Sequence, residues 1–258
     1  ENFETVSNYD GTGLGIGLGG WTLGISPPGN TSEGQRGNRW SASAFGTGVY
    51  ASLNGVRSLA IMSRRNNASQ DWYYGYNTGR SANIQAITPP ISAQSYSNMV
   101  LSFNWKAFGE IAGSTLYDYG QVGYSTNGST VTWINTGGFN NSGFYHSTAS
   151  VTNQVINLPS ALNNTTIYIH FRWINDGSVG TQPPFYIDDI QITGTPTITY
   201  AWTGPAGASY TPNNTSAATT VNAAGTYTCT ISSVGGSAND DAVITMLPPV
   251  ANGTVNST

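Results

Sequence analysis

TIYIHFRWI, residues 166–174, alternates without a break: Ile167, Ile169, Phe171 and Trp173 fall on one face, Tyr168, His170 and Arg172 on the other. A period of two is the mark of a strand with one buried face. NMVLSFNWK, residues 98–106, repeats the pattern with Met99, Leu101, Phe103 and Trp105. YGQVGYS (119–125), TNGST (126–130) and VTWIN (131–135) read as a hairpin turning at Asn127-Gly128. Gly, Pro, Asn and Ser punctuate the chain about every ten residues and helix signals are nearly absent. The expected fold class is all-β.

The composition fits a folded, weakly charged protein. Of 258 residues, 38% are hydrophobic and 12% aromatic, enough for a substantial core, while only 8% are charged, against about 25% for an average soluble protein. Lys106 is the single lysine and the net charge is −4, so no cluster of cations is available for a nucleic-acid backbone. Cys229 is the single cysteine, which rules out an intrachain disulfide. No stretch approaches the roughly 20 apolar residues of a membrane span. The opening ENFETV reads as a mature terminus, and the expected location is secreted or cell-surface.

FYIDDIQI, residues 185–192, sets Asp188 and Asp189 inside an apolar run and breaks the alternation, which a bulge would reconcile. Such charges must be paired, solvated or metal-bound. If the first and last strands of the large domain are neighbours, Glu4 meets the aspartate pair, and calcium, which takes six to eight oxygens, could join them. The alternative is a solvated strand end.

Other motifs weigh less. GIGLGG (15–20) matches a dinucleotide fingerprint, but Trp21 and Pro27-Pro28 follow where a helix should start. His146 and His170 form no metal pattern, and His170 is expected on an outward strand face. Glu110, Asp118 and Asp176 could serve as glycosidase acids, but their spacing does not favour it. No catalytic residue is assigned and the chain is not expected to be an enzyme. QDWYYGYN supplies Trp72, Tyr73, Tyr74 and Tyr76, a candidate aromatic platform for a sugar ring, although the same residues can serve as core and edge cover. Trp40, Trp133 and Trp173 read as core.

After Gly194 the texture shifts towards Thr, Ala and Gly. In GTYTCTIS (225–232) Tyr227, Cys229 and Ile231 alternate inward. The expected organisation is a large domain over 1–194, a small β-sandwich over 195–247 and a polar linker over 248–258.

NFE at the start, GW at 20–21, MVLSFNWKAFGE, YDYGQVGYSTNGSTVTW and the closing FYIDDIQI together resemble the MAM-like jelly-roll domains of secreted bacterial proteins, including the choice-of-anchor J domains frequent in gliding Bacteroidetes. The resemblance covers about residues 1–194. It implies a jelly roll of two antiparallel sheets and a structural cation, calcium, held by Glu4, Asp188 and Asp189. YAWTGP (200–205) and AGTYTCTI (224–231) resemble the Ig-like or PKD-like repeats of bacterial surface proteins. That implies a core Trp202, a tyrosine corner at Tyr227 and a spacer role. The resemblance further implies cargo of the type IX secretion system, to which this layout often belongs in Bacteroidetes. The expected function is adhesion to a surface glycan or protein partner, without nucleic acid or membrane insertion. A stalk subunit of a surface assembly and an accessory region of a larger secreted hydrolase are the alternatives, the latter with neighbouring domains in a longer chain.

Overall fold

The computed structural model describes residues 3–4, 20–24, 37–44, 46–64, 72–73 and 75–247. The GIGLGG motif up to Gly19 and the 248–258 tail lie outside the described residues. The protein is all-β with antiparallel sheets. Among the described residues, helical structure is limited to three 3-10 segments of three residues each. None is long and apolar enough to cross a membrane. The chain divides into two compact units, Glu1–Thr195 and Pro196–Thr258.

Among the described residues, two sheets build the first unit. One runs in the order Thr22–Leu23, Ala82–Ile87, Thr166–Asn175, Thr115–Ser125, Thr132–Trp133. The other runs Thr148–Asn157, Tyr96–Ala107, Tyr186–Pro196, Arg57–Arg64, Arg39–Ala44. Their inner faces share one core, because alternate residues of each central strand point at the other sheet. Ile167, Ile169, Phe171 and Trp173 are all fully buried. So are Leu101 and Phe103, with Met99 and Trp105 nearly so. Phe171 meets Phe103 edge to face at 5.3 Å and Phe185 at 6.4 Å. Gly120 makes room for Phe185: a Cβ there would fall 2.5 Å from the ring.

The hairpin expected at Asn127-Gly128 is present. Thr132 pairs with Tyr124 and Trp133 with Gly123. Asn127 Oδ1 accepts the backbone N–H groups of Ser129 and Thr130, and Gly128 takes a φ of +74°.

Three side chains depart from the alternation read in the sequence. His170 is fully buried, not outward, because the sheet's second face is covered at this point; its ring nitrogens bond Ser125 Oγ at 2.8 Å and Gln85 Oε1 at 2.9 Å from the two flanking strands. Trp40 and Trp173 are core, but Trp133 lies half-buried on that second face, under the guanidinium of Arg172 at 3.9 Å. Ile231 is 42% exposed because the small second unit does not cover that end of its sheet.

The second unit holds a three-stranded sheet, Thr199–Thr203, Gly225–Ser233 and Gly236–Ile244, and a two-stranded one, Tyr210–Thr211 with Thr220–Val221. Its buried apolar centre is Tyr227 and Cys229. The Tyr227 hydroxyl donates to the carbonyl of Ala223 at 2.9 Å, and half-buried Trp202 donates its indole N–H to Ser216 O at 2.9 Å.

Candidate functional site

Phe3 is fully buried and packs edge to face on Trp21 at 5.7 Å, so the N-terminal segment is anchored in the core of the first unit. That anchor sets Glu4 against residues 54–58. Its carboxylate accepts the N–H of Val56 at 2.9 and 3.1 Å and that of Arg57 at 3.1 Å. Gly55, at φ +60°, lies so close to this carboxylate that a Cβ would meet Glu4 Oε1 at 2.3 Å.

Asp188 reaches the same segment from the strand Tyr186–Pro196. It is fully buried; Ser58 Oγ donates to Oδ2 at 2.9 Å and the N–H of Asp189 to Oδ1 at 2.8 Å. Burial dominates and pushes its carboxyl up to about 7, against the hydrogen bonds that favour the ionised form. Asp189 adopts a φ of +49°, which is where the alternation of FYIDDIQI breaks. The turn aims its carboxylate at two amides: Asn54 Nδ2 donates to Oδ2 at 3.0 Å and Asn104 Nδ2 at 2.9 Å. Glu4, Asp188 and Asp189 therefore converge on residues 54–58, from opposite ends of the unit. Their oxygens do not close into a single trio within 4.8 Å of one another. The donors that join them, Asn54, Ser58 and Asn104, carry no sequence signature; only the pairing of distant strands assembles them.

Lys106, two residues beyond Asn104 on the same strand, is buried. It donates to Ala51 O and sits over the Tyr186 ring at 4.4 Å. Burial lowers it to about 8.

A second acidic group lies elsewhere in the first unit. Glu110 is the register partner of Asp118, and the pairing of Ile174 with Tyr119 sets Asn175 opposite Asp118. Among the described residues, Glu110, Asp118 and Asp176 are the one trio of acidic, His or Cys side chains whose ligand atoms all lie within 4.8 Å. Asp118 is fully buried. Oδ2 accepts the Tyr76 hydroxyl at 2.6 Å, and Oδ1 accepts Asn175 Nδ2 at 3.2 Å and the N–H of Asp176 at 3.1 Å. Burial raises its pKa, against the hydrogen bonds that favour the ionised form; Glu110 is raised first by desolvation, then by the charges of Asp118 and Asp176. Gly180 closes over this group: a Cβ there would fall 2.0 Å from Tyr76 Oη and 2.4 Å from Asp118 Oδ2. Gly180 thus shields Asp118, while Glu110 is half-buried and Asp176 exposed.

The aromatic quartet separates. Tyr76 is 1% exposed, edge-on to Trp173 at 5.0 Å, so its ring is core and offers no face to a sugar. Trp72 and Tyr73 form a two-residue strand paired with Ser63 and Arg64, and Tyr74 lies outside the described residues. A groove of about 390 Å³ is lined by Ile91, Tyr96, Met99 and Ile192 among others, with no acid or base other than the phenol of Tyr96.

The chain matches no protein-family model and no curated protein sequence.

Proposed function

We propose that the protein is a secreted or cell-surface binding protein without catalytic activity, its first unit a jelly roll that engages a surface glycan or protein and its second an Ig-like spacer. One observation carries the reading: among the described residues, the buried groups best suited to chemistry are tied into structural hydrogen bonds. His170 is held between Ser125 and Gln85, Asp118 by Tyr76 and Asn175, Asp188 by Ser58. Catalysis needs a nucleophile or acid–base pair open to substrate. Tyr227 bonded four residues back to Ala223 supports the Ig-like part, since that bond is the tyrosine corner of such sandwiches. The low charge of the chain supports a life outside the cytoplasm.

Calcium belongs to this proposal as the closure of the first unit. Asp188 and Asp189 would supply carboxylate oxygens, and Glu4 would order residues 54–58 through Val56 and Arg57. The bound ion would keep Asp188 ionised and tie the closing strand to the N-terminal segment. A glycan array probed with the protein and with Trp72→Ala tests the ligand: binding to a glycan class that the substitution abolishes supports a glycan ligand, and a blank array for both overturns it and leaves a protein ligand. A stalk role is the second reading. It is favoured by the strand Gly236–Ile244, which among the described residues pairs on one side only and is exposed along its whole length.

A further inference from the structure

We infer that Glu110, Asp118 and Asp176 form a binding site for one calcium ion, independent of any ion at Asp188 and Asp189. Two oxygens that each lie about 2.4 Å from one ion are at most about 4.8 Å apart. The three carboxylates meet that limit together. They come from three segments: the strand Glu110–Ala112, the strand Thr115–Ser125 and the turn after Thr166–Asn175. Strand register holds them there. Like charges directly opposite on neighbouring strands are destabilising, yet Glu110 and Asp118 are such partners.

Asn175 supplies a separate observation. It is 2% exposed and its carboxamide is seated on Asp118. The orientation is fixed, because Nδ2 donates both to Asp118 Oδ1 at 3.2 Å and to Thr78 O at 3.3 Å; turning the amide over would set Oδ1 against two acceptors. In the fixed orientation Oδ1 is buried with no hydrogen-bond partner among the described residues. An orphaned buried oxygen is destabilising, and a cation among the adjoining carboxylates would satisfy it.

The donor set defines the ion. Three carboxylates, beside an orphaned amide oxygen and with no imidazole or thiolate in the trio, suit a hard cation and not zinc. Asp118 accepts three hydrogen bonds and retains capacity for a metal, since a carboxylate offers about four lone-pair sites. Asp118 and Asn175 form a buried floor, while Asp176 is exposed and Glu110 half-buried. The ion would enter from that side and complete its shell with water. Calcium accepts such an irregular arrangement, whereas magnesium demands a near-ideal octahedron.

The test is calorimetric titration of calcium chloride into the EDTA-stripped full chain, alongside Glu110→Gln/Asp176→Asn, Asn175→Ala and Asp189→Asn. Glu110 and Asp176 lie on the solvent side, so their double substitution should leave the circular dichroism unchanged. We expect that pair to lose one equivalent of calcium that the wild type and Asp189→Asn both bind. Asn175→Ala should weaken the same equivalent by roughly tenfold or more. No calcium uptake by the wild type at millimolar concentration overturns the inference. So does equal stoichiometry and affinity in Glu110→Gln/Asp176→Asn. An equivalent lost only in Asp189→Asn would support the ion at the closing strand and likewise overturn this one.

Discussion

Asp188 allows the sharpest quantitative prediction. Its carboxyl is fully buried, and its titration moves from an ordinary 3.8 to about 7 in the folded chain. A folded value above the unfolded one means that the folded state holds the proton more tightly. The stability due to the neutral acid is therefore complete below about pH 4 and lost as pH rises towards 7. A displacement of this size corresponds to at most roughly 4 kcal/mol. Urea unfolding in EDTA across that range should show it as a fall in stability with rising pH. Asp188→Asn, uncharged and nearly isosteric, should lack that component. His170 contributes the opposite slope: burial lowers its pKa, so its stability is present above the ordinary histidine value and lost on acidification. It is common to both proteins and cancels in the difference. Calcium at the closing strand should reverse the wild-type slope, because the ion binds the carboxylate and competes with the proton. Identical pH profiles for wild type and Asp188→Asn in EDTA would refute the reasoning.

Two further substitutions probe the packing. Gly180→Ala would drive a methyl into Tyr76 Oη and Asp118 Oδ2 and should cost roughly 1–3 kcal/mol. Gly79→Ala, whose nearest contact would be 3.6 Å away, should stay within about 0.5 kcal/mol of wild type in the same unfolding assay. Tyr227→Phe removes the hydroxyl that donates to Ala223 and should destabilise the second unit by roughly 1 kcal/mol, read as earlier loss of hydrogen-exchange protection in Gly225–Ser233.

The strands of the first unit were legible because alternation reports which residues share a face. The buried sets Met99–Trp105 and Ile167–Trp173 follow directly from it. It does not report what covers the other face, and so His170 and Trp133 depart from it: Gln85 and Ser125 from neighbouring strands enclose one, Arg172 caps the other. The broken parity of FYIDDIQI was a local signal, and Asp189 in the left-handed region is its physical source. Glu110, Asp118 and Asp176 stood out in the sequence as candidate acids, but nothing in their spacing showed that they meet. The first two meet through cross-strand register and the third through a turn after a distant strand, so spacing along the chain conceals it. An Asn-Asp-Gly-Ser turn directly after a strand, as at 175–178, was the visible hint.

On the proposed reading, calcium completes this β-protein at its acidic sites. Anomalous diffraction from crystals of the full chain grown in calcium chloride tests it most directly. Anomalous peaks are expected about 2.3–2.6 Å from carboxylate oxygens of Asp188 and Asp189, and of Glu110, Asp118 and Asp176. A well-ordered crystal in millimolar calcium with no peak at either place would contradict it.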